Sequence, residues 1–175
     1  MSLQMMRQAF ITGLRDAQAM ERKSQKWLER QAERTGCYRE IQERMMMHAR
    51  ETREQVRRIE KCLSELDRRP SMMKDWTMSM FGAVSDLADD MFLGAAVANA
   101  AFEHYEIAAY KSLIVLAKDL DLGDAAARLQ TSLDEEKRMA QWVDDNVEEL
   151  TRMRFPKDEA RPHQADRDRP YHRAA

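Results

Sequence analysis

The chain has 175 residues, with 29 Lys and Arg against 31 Asp and Glu, and its net charge of −2 excludes a broad basic surface for nucleic acid. With only 5 Gly and 4 Pro, 34% charged and 43% hydrophobic residues, it has the composition of amphipathic helices in one domain. It contains no 18-residue apolar run and no apolar leader, so neither a membrane span nor a signal peptide is expected, and two cysteines without motif spacing, Cys37 and Cys62, fit a cytoplasmic protein.

The first predicted helix covers Leu3 to Arg34. Its apolar stripe is Met6, Phe10, Leu14, Ala17, Glu21, Ser24 and Leu28, every step three or four residues, with Glu21 where a Leu belongs. Thr35-Gly36 ends it, with Gly36 suited to a left-handed position after the helix. The second helix covers Tyr38 to Leu66. Its stripe runs Ile41, Met45, His48, Glu51 or Thr52, Gln55 or Val56, Ile59, Leu63 and Leu66, interrupted by the polar group His48, Glu51 and Gln55. So short a connection makes the two helices antiparallel neighbours.

Asp67-Arg68-Arg69-Pro70 stops the second helix, and Ser71 to Ser85 follows with Met72, Met73, Trp76, Met78, Met80 and Phe81. This stretch is too long for a tight turn and too apolar for a free linker, so it is expected to cross over along the bundle, partly helical, and to lie in a subunit contact or against a groove of its own bundle, in a protein expected to be a homodimer. Packing explains its methionines better than soft-metal binding does. The third helix covers Asp86 to Asp119, and a turn at Asp121-Leu122-Gly123-Asp124 follows, with Gly123 as terminator and Asp124 as N-cap. The fourth covers Ala125 to Met153, with stripe Leu129, Leu133, Glu136, Ala140, Val143, Val147 and Leu150. Residues 156–175 lack apolar periodicity and are expected to be a flexible tail on a 1–155 bundle.

The carboxylates on these stripes repeat. Glu21 and Glu51 are 30 residues apart, and so are Glu106 and Glu136. Two antiparallel hairpins with one Glu midway along each arm bring four carboxylates to one level of a bundle core. Like charges there need a counter-charge, which one or two divalent metals supply. This is the geometry of di-iron carboxylate bundles, in which two of the glutamates are followed at plus three by His. Here Glu51 is followed by Glu54 and Glu136 by Met139. Glu103 could add a carboxylate and His48 a nitrogen, and a helix register shifted by one residue would bring in Glu135 instead of Glu136. No Gly-rich phosphate loop, Gly-x-Ser-x-Gly, Cys-x-x-Cys or His-Glu-x-x-His competes, so no organic cofactor is expected.

The stretch Glu103-His104-Tyr105-Glu106-Ile107-Ala108-Ala109-Tyr110 resembles the Glu-His-Tyr-Glu-Ile-Ala-x-Tyr signature of the DUF892, or YciF-like, ferritin-like proteins. Met20-Glu21-Arg22-Lys23, His48-Ala49-Arg50-Glu51-Thr52 and Leu133-Asp134-Glu135-Glu136-Lys137 are similar to segments of the other three helices of that family. The resemblance spans about residues 8 to 150. It implies an all-α, ferritin-like antiparallel four-helix bundle with one long crossover, a bacterial stress context, dimers and a di-metal site of iron or manganese. The metal ligands expected are Glu21, Glu51, Glu103, Glu106, Glu135 and Glu136, in a protein that oxidises ferrous iron or consumes peroxide. The competing reading is a metal-free structural or interaction bundle, its carboxylates paired with Arg22, Arg50, Arg53 or Lys137 or bonded to Tyr105 and Tyr110.

Overall fold

The computed structural model describes residues 2–34, 38–66 and 94–154. They form four α-helices: α1 Leu3–Arg34, α2 Arg39–Leu66, α3 Gly94–Asp119 and α4 Gly123–Arg154. No strand occurs among the described residues. The expected helices are present to within two residues at each described end. The start of the third helix before Gly94, the Met-rich crossover and the tail beyond residue 155 lie outside the described residues.

The helices pack because each carries one apolar face. On α1 this face is Phe10, Leu14, Ala17, Met20, Trp27 and Leu28, and on α2 it is Ile41, Met45, Ala49, Ile59 and Cys62. The α3 face is Ala98, Phe102, Tyr110, Leu113, Ile114 and Ala117, and the α4 face is Leu129, Leu133, Met139, Val143 and Leu150. Val147, expected on the α4 stripe, is 47% exposed. The core face turns away from it because Val143 and Leu150, a full seven residues apart, carry the stripe past it.

Cross-helix pairs set the directions. On α1 and α2, Arg7 Nη2 donates to the Leu66 carbonyl, Arg22 Nη2 donates to Glu60 and Gln42 Nε2 donates to the Ala32 carbonyl, so these two are antiparallel. Gly13 lies against Leu113, Tyr110 bonds Glu21, and the Trp27 and Phe102 rings stand 5.4 Å apart, so α3 runs antiparallel to α1. Arg128 bonds Glu65, and Arg58 bonds Glu135, so α4 runs antiparallel to α2. The order is therefore up, down, down, up. Leu66 and Gly94 lie at opposite ends of the bundle, roughly 40 Å apart at 1.5 Å per residue. A hairpin loop cannot make that connection, which is the physical reason for the long segment between them.

The α3–α4 corner differs from the expected one. Asp121, at φ 57°, takes the left-handed position. The Leu122 amide donates to the Ala117 carbonyl and the Asp121 amide to the Lys118 carbonyl, the paired bonds of a Schellman motif. Asp tolerates that conformation better than most side chains. Gly123 is then the first residue of α4, and Asp124 lies inside its first turn instead of capping it.

Candidate metal centre

The polar interruptions of the four stripes meet midway along the bundle. Glu21 on α1, His48 and Gln55 on α2, Glu103 and Glu106 on α3, and Glu136 on α4 are all 0–1% exposed. His48, Glu103, Glu106 and Glu136 each offer one ligand atom, and these four atoms lie within 4.8 Å of one another. His48 Nε2 is 3.5 Å from Glu103 Oε2 and 3.4 Å from Glu136 Oε2, close enough to pair but not aligned for a hydrogen bond. Both Glu106 oxygens, Glu21 Oε2, Glu103 Oε2, Glu136 Oε2 and His48 Nε2 have no hydrogen-bond partner among the described residues. Orphaned polar atoms are rare in a core, and each costs about 1–3 kcal/mol. Here several sit side by side.

Other side chains hold the cluster from behind. Tyr110 Oη donates to Glu21 Oε1 at 2.6 Å. Gln55 Nε2 donates to Glu136 Oε1 and, at 3.0 Å, to Glu135 Oε2. Arg58 grips Glu135 with both terminal nitrogens, at 2.6 and 2.8 Å, and reaches Ser132 Oγ at 3.2 Å. Of the six expected ligands, Glu103, Glu106 and Glu136 are thus brought together with His48, and Glu21, held by Tyr110, lies near enough to Glu136 and Glu106 for their charges to act on one another. Glu135 is buried but turned to Arg58. Glu51 lies on the flank of α2, with a side chain 22% exposed, outside the buried cluster. The core positions of α2 are His48, Thr52 and Gln55, at steps of four and three, and Glu51 falls to one side of that row.

The paired-charge alternative fares differently residue by residue. Arg22 pairs with Glu60, Arg53 with Glu29 and Lys137 with Asp134, none of them a cluster member. Tyr110 alone of the named partners bonds a cluster carboxylate. Asn99, Arg58 and Ser132 were not singled out from sequence. Asn99 is fully buried with both amide atoms unpartnered, and its position four residues before Glu103 on the α3 stripe was the signal.

Burial governs the charge state. It pushes Glu21 and Glu106 well above the usual carboxylate range, and their carboxylate neighbours, Glu136 for Glu21 and Glu21 for Glu106, push the same way. Burial raises Glu103 to about 8, partly opposed by His48. Burial also works to raise Glu136, but the polar groups of His48, Glu103 and Glu106 beside it outweigh it and hold it low. Burial disfavours the His48 cation, yet Glu103, Glu136 and Glu51 together raise it well above the usual imidazole range. The metal-free cluster is therefore one imidazolium beside the ionised Glu136, with the remaining carboxyls holding protons. Such a set can exchange its protons for a cation.

The profile described as domain of unknown function DUF892 matches this chain over residues 5–155. Three solved structures share its fold. A protein from Xanthomonas campestris pv. campestris is 28% identical, with TM-score 0.64, over 83% of this chain and 92% of its own. YcfI from Rhodopseudomonas palustris is 27% identical, with TM-score 0.69, over 79% and 92%. The E. coli stress protein YciF is 25% identical, with TM-score 0.68, over 83% and 96%.

Proposed function

This chain belongs to the DUF892 family, and from that premise we propose that its bundle is a ferritin-like carboxylate scaffold that takes up iron or manganese in its core. The observation that carries this reading is the group of four buried ligand atoms, one from each of His48, Glu103, Glu106 and Glu136, within 4.8 Å of one another. Ligands around one divalent ion at about 2.1 Å stand roughly 3 to 4.2 Å apart, so a set spread over at most 4.8 Å closes on an ion with a contraction of about half an ångström. Three carboxylates and one imidazole are a hard, oxygen-rich set that suits ferrous or manganous ion over soft metals. The orphaned lone pairs fit as well, because a cation satisfies several of them at once. The second ion of a pair would draw on Glu21 Oε2 and the other oxygen of Glu106.

The chemistry that bound ferrous or manganous ion supplies is its own oxidation by dioxygen or peroxide. The protein supplies the rest. Tyr110 orients Glu21 through its hydroxyl, and Gln55 steadies Glu136. Arg58 keeps Glu135 turned aside, so that the cluster does not carry a further charge. Aromatic and aliphatic neighbours such as Phe102, Leu133 and Met139 keep bulk water out. The E. coli relative is named a stress protein, and a centre that binds iron or manganese and removes peroxide would serve that setting here. The test is metal content after anaerobic loading with ferrous or manganous ion and desalting. Retention of one to two ions per chain supports the reading. Loss of all metal, with the same protein stable and helical, favours a structural bundle that balances its carboxylates with protons and His48.

A further inference from the structure

Glu51 and His48 are one helical turn apart on α2, and Glu51 Oε2 lies 3.0 Å from His48 Nδ1. Glu51 is itself pinned from two helices. Arg44 Nη1 approaches the same oxygen at 3.7 Å, and Arg138 Nη2 on α4 approaches Oε1 at 3.7 Å. Arg44 is steadied in turn over the Trp142 ring, 5.9 Å from its centroid. A carboxylate flanked by two guanidinium groups stays ionised, and an ionised carboxylate can only accept. His48 Nδ1 must therefore donate and keep its proton, so when the imidazolium gives up a proton to a cation it is Nε2 that gains a lone pair to give. Nε2 is the atom that faces Glu103 and Glu136 and has no hydrogen-bond partner.

We propose that Glu51 is not a metal ligand but the positioning residue that holds His48 in the Nδ1–H form and aims Nε2 at the metal. This rests on the metal-centre reading above and gives one of its expected ligands a different role. The far side of the imidazole ring separates the Glu51 oxygens from the cluster, and the partial exposure of Glu51 puts it at the rim. Carboxylates placed in this way behind a ligating imidazole fix its tautomer and strengthen its donation, and their loss typically weakens metal binding 10- to 100-fold.

The experiment compares wild type, Glu51→Leu and Glu51→Gln in two measurements. Manganous ion affinity is read by electron paramagnetic resonance. The His48 ring nitrogens are read by ¹⁵N nuclear magnetic resonance with zinc as a diamagnetic probe. The account expects wild-type His48 to keep Nδ1–H while Nε2 takes the metal. Glu51→Leu should bind manganese about 10- to 100-fold more weakly and lose the Nδ1–H preference. Glu51→Gln, which keeps an acceptor oxygen, should recover most of the affinity. Equal affinity in Glu51→Leu, or zinc on Nδ1 in wild type, overturns the proposal while leaving the metal centre in place. The wild-type spectrum alone decides this if the Leu variant does not fold. Wild type that binds neither manganese nor zinc overturns the metal-centre reading, and this role for Glu51 with it.

Discussion

Glu106 is the residue on which the cluster turns. It is fully buried, and among the described residues both its oxygens lack a hydrogen-bond partner and no Lys or Arg is shown paired with it. Glu106→Gln keeps the shape and removes the charge. Without metal, the variant should match wild type within about 1 kcal/mol at acid pH, where the wild-type group is protonated, and exceed it as pH rises. With metal, it should lose most of the metal-dependent gain in melting temperature. The pH dependence of the metal-free protein follows from the same burial. Glu103 is raised to about 8, and Glu21 and Glu106 are raised with it. A raised carboxylate contributes stability that is full below its unfolded value near 4.5 and is lost as pH rises through the folded value. His48, also raised, acts in the same direction. Metal-free protein should therefore lose stability steadily between pH 5 and pH 8, read by urea denaturation at each pH. A flat or rising profile over that window would mean that these carboxyls are not buried together.

At the scale of the helices, the polar links between α2 and α4 are the most exposed to a single change. Arg58 is the only cation bonded to Glu135 among the described residues, and its side chain is about a quarter exposed. Arg58→Ala leaves a buried carboxylate without its partner. It should cost about 2–3 kcal/mol, discounted from a fully buried pair for the solvent at Arg58 and read as a lower urea midpoint with unchanged slope. The α3–α4 corner gives a second case. Asp121→Val puts a β-branched residue at φ 57°, and should cost about 1–2 kcal/mol. Much of this was legible in sequence. The helix limits followed from Gly, Pro and periodicity, and Glu21, Glu106 and Glu136 stood out as charges on apolar stripes. On α2 the stripe is polar over a wide arc, so spacing left Glu51 and Thr52 as alternatives. Only packing against α1 and α4 chose Thr52, and it turned His48 inward with it. The corner was misread because Gly123 is the easier left-handed residue, while the left-handed position actually falls two residues earlier, on Asp121.

For the whole molecule, the up-down-down-up order matters most. It places one polar residue or more from each of four helices at one level, and the two antiparallel hairpins can do so only because a long segment returns from Leu66 to Gly94. The family assignment rests on the sequence match over residues 5–155, and the fold is shared with three solved structures. No helix among the described residues is long and apolar enough to cross a membrane. The homodimer remains a proposal drawn from the apolar composition of residues 72–81. Light scattering should give twice the 20.5 kDa chain mass, and a monomer mass would refute it. The central claim is that the buried cluster binds metal, and metal bound only by the folded state must stabilise it by RT ln(1 + [L]/Kd). The most direct measurement is the melting temperature of the wild-type chain with and without manganous ion, at pH 6 and pH 8. At a hundredfold excess over Kd the gain should be about 2.7 kcal/mol, or about 5–11 °C, and at one metal concentration it should be larger at pH 8, where fewer protons compete for Glu103. A melting temperature that manganese and ferrous ion leave unmoved at both pH values would contradict the metal centre.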